Sequence, residues 1–126
     1  MARQIITTDK VSKTPLPYSS AVKVGNLVYV SGTTPYNIRR ELAKGDFAAQ
    51  MHQVIQNIKA VLEAAGSSLD KVVKVNVILQ RITDFQAMNE IYKTYFKEGN
   101  YPARTTIEAK LANSDFLLEI ECVAEA

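Results

Sequence analysis

The side chains best suited to chemistry gather in two β-rich runs near the end of this sequence. Arg104, Thr106, Glu108 and Lys110 alternate along Arg104 to Leu111, and Glu119 and Glu121 alternate along Phe116 to Ala124. Neighbouring side chains of a strand point to opposite faces. If Thr105, Ile107, Ala109 and Leu111 face inward, with Leu118, Ile120, Cys122 and Ala124, the charged residues collect on the other face. A guanidinium among carboxylates can hold an acid and move a proton; it can equally be the solvated side of an antiparallel sheet. Leu117 and Val123 fall on the same face, and that mixture suits a subunit interface with polar pockets better than open water.

Other chemistries have less material. With one His and one Cys the chain cannot build a metal cluster, and it has no phosphate-binding glycine loop, so neither a metal nor a cofactor is expected. His52 lies in a helical stretch beside Met51, where a structural or exposed histidine is the ordinary case. Cys122 has no intrachain partner; in its apolar run it should be buried, which fits a reducing compartment. Fifteen Lys and Arg against thirteen Asp and Glu leave a net charge of +2, a weak basis for nucleic-acid binding. Tyr92, Tyr95 and Phe96 recur at helical spacing and read as core rather than as a platform for bases. The first residues lack the apolar stretch of a signal peptide and no segment is long enough to span a bilayer, so a cytoplasmic location is expected.

The elements that must position these residues follow from periodicity. At 126 residues the chain fits one domain, 1–126. Pro15 and Pro17 mark an extended lead-in. Ala21 to Val24 and Leu27 to Ser31 form a hairpin about Gly25-Asn26. Between Asp46 and Ala65, Phe47, Met51, Val54, Ile55, Ile58, Val61 and Leu62 make one helical stripe, with Asp46 as N-cap and Gly66 as terminator. Val72 to Leu79 is a buried strand. Thr83 and Gln86 have capping-box spacing ahead of a second helix bearing Phe85, Met88, Ile91, Tyr92, Tyr95 and Phe96. Ala112 to Asp115 suits a turn between the last two strands. The expected class is α+β: five or six strands with two helices on one face, and the other face in need of a partner.

Several segments, taken in order, resemble the RidA/YjgF family: Pro17-Tyr18-Ser19, Val30-Ser31-Gly32, Asn57 through Gly66, Asp84-Phe85 through Asn89, Tyr101-Pro102-Ala103-Arg104-Thr105, and Glu119-Ile120-Glu121. The resemblance implies a chorismate-mutase-like fold, one mixed sheet with two helices on one face. It also implies a homotrimer whose sheets close a central barrel, with active sites in the clefts between subunits. By the same resemblance Arg104 holds the substrate carboxylate and Glu119 positions or activates a water. Ser31, Gly32 and Thr106 frame the pocket, and Tyr18 and Asn89 support it.

The implied reaction is hydrolysis of 2-enamino or 2-imino acids, such as 2-aminoacrylate and 2-iminopropanoate, to 2-keto acids and ammonia, with neither metal nor cofactor. The chain departs from the pattern at Thr33, where a glutamine is common, and at Thr106, often a cysteine. Tyr36 to Glu41 also lacks the usual acidic and Thr-Gly turn. Arg39 and Arg40 in that stretch are either solvated or, if one reaches a cleft, suited to a larger or doubly acidic substrate. The alternatives are a pathway-specific deaminase of an amino-dienoic acid such as 2-aminomuconate, a ribonuclease or translation inhibitor, and a non-catalytic ligand-binding or chaperone-like trimer.

Overall fold

The computed structural model describes residues 2–126. Six strands, β1 (Arg3–Ile6), β2 (Ala21–Val24), β3 (Leu27–Thr33), β4 (Val72–Leu79), β5 (Ala103–Glu108) and β6 (Leu118–Glu125), accompany two helices, α1 (Phe47–Ala64) and α2 (Phe85–Tyr95). They form one sheet in the order β1-β2-β3-β6-β4-β5. Only the β4–β5 pair is parallel, α2 providing the crossover, so the sheet is mixed. The α+β architecture is as the periodicity implied.

The local reasons are also those of the sequence. Gly25, at φ 57°, turns β2 into β3, a backbone state that costs glycine little. Asp46 caps α1 by accepting a hydrogen bond from Ala49 N at 3.0 Å, and Gly66, at φ 81°, ends it. The core lies between the helices and one sheet face. There Met51, Val54, Ile55 and Leu62 of α1 and Met88 of α2 meet Val28, Val75, Val77, Leu79, Leu118 and Ile120.

Four expectations need correction. β1 was not anticipated; it pairs with β2 at the sheet edge. Thr83 does not cap α2: it lies in a 3-10 turn, Ile82–Asp84, and Asp84 instead precedes the helix and accepts from Arg81. Leu117 is buried in the core rather than on the open face.

The largest correction is the facing of β5. Arg104 and Thr106 pair with Val75 and Val77, whose side chains lie in the core beneath the helices, while Thr105 and Ile107 pair with Asn76 and Ile78 on the helix-free face. β6 faces as expected, with Leu118, Ile120, Cys122 and Ala124 buried and Glu119 and Glu121 on the other side. Arg104 and Glu119 therefore lie on opposite faces of one sheet.

Candidate functional site

The residues expected to act together form two separate groups in the chain. The first is built on β5 and α2. Arg104 lies with its guanidinium carbon 4.7 Å from the centre of the Tyr92 ring and 5.8 Å from that of Phe85, and its Nη1 is 3.7 Å from Met88 Sδ. A planar, weakly hydrated cation stacks well on aromatic faces and keeps the edges of its fork for a ligand. No carboxylate pairs with Arg104 among the described residues. Arg104 and Asn89 line a cleft of about 430 Å³ with Tyr92, Lys93, Tyr101 and Pro102. Thr106, two residues along the same face of β5, has a buried Oγ1 with no hydrogen-bond partner among the described residues, as does the Tyr92 hydroxyl. Burial pushes that hydroxyl up to about 12, against a smaller opposing pull from Arg104, so it stays protonated and can donate.

The second group forms where β3 meets β6. The register between these strands shifts after Val30 and resumes at Thr33, leaving Ser31 and Gly32 in an irregular stretch opposite Glu119. Ser31 Oγ donates to Ser19 O at 2.5 Å and Ser31 N to Ser20 O at 3.0 Å, which ties the segment after Tyr18 to the strand. Gly32 is there for space: a Cβ would fall on the Glu119 carboxylate. Glu119 is half-buried and has no cation within salt-bridge distance among the described residues. Burial, and secondarily the Glu121 charge, hold its carboxyl above the usual range. Tyr18, Ser31, Gly32 and Glu119 line a cleft of about 450 Å³ with Tyr36, Arg40 and Phe116. Thr33, in place of the common glutamine, donates its Oγ1 to Ser31 O at 2.9 Å.

Two buried amides position this second group. Gln50 of α1 donates to Ala43 O and Asp115 O, both at 3.0 Å, and accepts from Leu117 N at 2.8 Å, fixing the entry to β6. Asn57 donates to Thr34 O and Tyr36 O at 3.1 and 2.8 Å, fixing the exit from β3. Neither Gln50 nor Tyr92 was recognised from sequence as part of a site. The usable signal was a polar Gln50 inside an apolar helical stripe, since buried amides are normally fully bonded. His52 is exposed, its Nδ1 hydrogen-bonded to Tyr95 OH at 2.6 Å, and lines neither cleft. Cys122 is buried, its thiol pushed up to about 12 mainly by that burial, and is therefore a poor nucleophile. No helix is long and apolar enough to cross a membrane, and the described residues hold no group of three or more His, Cys, Asp or Glu placed for a metal.

The chain is similar to known proteins along nearly all of its length. The family model described as Endoribonuclease L-PSP matches residues 10–126. A RutC family protein of Pyrococcus abyssi is 46% identical over 125 residues, 98% of each chain. A protein of Dermatophagoides farinae named 2-iminobutanoate/2-iminopropanoate deaminase is 37% identical, covering 96% of this chain and 94% of its own. Among solved structures, RidA from the Antarctic bacterium Psychrobacter sp. PAMC 21119 is 42% identical with a TM-score of 0.90, over 98% of this chain and 99% of that one. The YjgF gene product of E. coli is 34% identical with a TM-score of 0.89. With the family model covering most of the chain and such relatives along nearly all of it, the chain belongs to the RidA/YjgF family.

Proposed function

We propose that this protein hydrolyses short 2-imino acids, and the 2-enamino acids that tautomerise to them, to 2-keto acids and ammonia in clefts between the subunits of a homotrimer. The observation that carries the reading is a division: a guanidinium without a carboxylate partner among the described residues, Arg104, on one face of the sheet and an acid with raised proton affinity, Glu119, on the other. Each group lines its own cleft, and apposing two copies of the chain is the simple way to bring them to one substrate. The exposed helix-free face supports such assembly. Tyr29 is 47% exposed there in a row with Val22 and Val123, and Ile107 is 49% exposed further across the same face, a mixture of apolar and polar side chains that favours a partner.

The chemistry needs few groups. Arg104 of the partner subunit donates its fork to the substrate carboxylate, with Thr106 and Asn89 beside it. The enamine gains a proton at C3 and loses one from nitrogen, giving the imine. Glu119 takes a proton from water as the oxygen bonds to C2 and the imine nitrogen is protonated. Glu119 returns its proton to the amine of the resulting carbinolamine, which departs as ammonia while the hydroxyl gives up its proton and the carbonyl forms. No electrons are exchanged, and holding water against an activated carbon supplies much of the acceleration.

The test generates 2-imino acids in situ from a panel of amino acids with an amino-acid oxidase and follows keto-acid release. A rate rising in proportion to added protein is expected. No acceleration across the panel, with RNA cleaved by the same preparation, would replace this reading with the ribonuclease one.

A further inference from the structure

We infer that Arg40 makes the Glu119 cleft selective for 2-imino acids bearing a second, distal carboxylate; the inference rests on the deaminase reading above. Arg40 is the one cation among the residues lining that cleft and Glu119 the one acid. A substrate side chain ending in a carboxylate would be repelled by Glu119 unless a positive charge stood nearby. Arg40 supplies it within the same cleft.

The arginine is held in place by a built loop. Asn37 Oδ1 accepts from Arg39 N at 3.0 Å and from Glu41 N at 2.9 Å, and Arg40 N donates to Asn37 O at 2.9 Å. Asn57 anchors the preceding Tyr36 to α1. The Tyr36 ring packs edge-on against Phe116 at 5.3 Å, and the Arg40 guanidinium lies over Tyr36 with its carbon 4.4 Å from the ring centre. Nη1 donates to Lys13 O at 3.2 Å and Ser12 Oγ at 3.5 Å. Nη2 and Nε make no hydrogen bond among the described residues, and no carboxylate pairs with the group. Stacking and one anchored nitrogen fix the fork and leave donors for a ligand.

The backbone carries a cost for this placement. Arg40 is the one non-glycine residue with positive φ among those described, at 60°, a left-handed conformation that glycine adopts most easily. An arginine held there against its own backbone preference, at a cleft wall, fits selection for its side chain. The substrate would then lie with its C1 carboxylate on Arg104 of the partner subunit, C2 at Glu119 and the distal carboxylate at Arg40.

The test compares two imino acids of equal chain length, the dicarboxylic one made in situ from glutamate and the monocarboxylic one from norvaline. Wild-type protein should favour the dicarboxylic substrate in kcat/KM. Arg40→Gly, which relaxes the backbone while removing the cation, should lower that ratio by roughly tenfold or more, chiefly through KM. Titration with 2-oxoglutarate against 2-oxopentanoate should show the same shift in Kd ratio. A wild-type preference for the monocarboxylic substrate, or equal losses on both in Arg40→Gly, would overturn the proposal while leaving the deaminase reading intact. Acceleration of neither substrate would sink both.

Discussion

At the scale of single residues, Arg104 and Glu119 have environments that suit different work. Arg104 rests on the Tyr92 ring with no carboxylate partner among the described residues, so removing it strands no such partner. Arg104→Ala should stay folded while losing measurable deamination. Arg104→Lys should recover little, since a mobile ammonium replaces a rigid fork and small misplacements cost about a hundredfold in rate; steady-state rates on in-situ imino acids, with circular dichroism for folding, check both. Glu119 should show its burial in the pH profile. As the proposed base it must be ionised, so kcat/KM should fall as pH drops through its raised pKa, giving an acid limb above the usual carboxylate value of about 4.3. Glu119→Gln should retain keto-acid binding while losing turnover and that limb. The stability sign runs the other way. A carboxyl whose folded pKa is raised favours the fold below its unfolded pKa and loses that contribution as pH rises through the folded value. Glu119→Gln should therefore melt slightly higher at neutral pH, and the gain should vanish in acid.

At the scale of elements, what places Glu119 is a strand junction held by amides. Gln50 is fully buried and makes three hydrogen bonds to backbone groups at both ends of the segment it braces. Gln50→Ala strands buried donors and acceptors, and urea unfolding should show a loss of about 2–3 kcal/mol. Gly32→Ala should act on function more than on stability, because the added methyl meets the flexible end of Glu119 and must displace the carboxylate.

These elements differ in how far the sequence revealed them. The β2–β3 hairpin and α1 were legible because turn chemistry and a clean apolar stripe each specify one outcome, Gly25 at the turn and Asp46 at the cap. β1 has only four residues and no alternation of apolar with polar, so nothing separates it from an extended lead-in. The facing of β5 was misread because a charged Arg104 was assigned to the face away from the helices. A guanidinium can instead lie between a sheet and a helix when an aromatic ring offers it a face. The clefts themselves were not legible from periodicity. They depend on Gly32, Tyr92 and a β3–β6 register shift that no local pattern announces.

At the scale of the whole molecule, a site that draws on Arg104 and Glu119 from opposite faces of one sheet, as proposed, makes assembly a requirement of catalysis and not only of stability. The helix-free face carries Val22, Tyr29 and Val123 in one row across β2, β3 and β6. Val123→Arg on that row should leave the subunit fold intact yet give a light-scattering mass near 14.0 kDa, and not three times that value, with deamination lost in parallel. The most direct test of the central claim mixes two inactive proteins. Arg104→Ala and Glu119→Gln chains, co-refolded in equal amounts, would assemble at random. A cleft that takes Arg104 from one chain and Glu119 from its neighbour is then intact at roughly one site in four. The mixture should recover about a quarter of wild-type activity, although neither parent has any. Absence of recovery from mixed trimers, with each parent folded and assembled, would contradict a site shared between subunits.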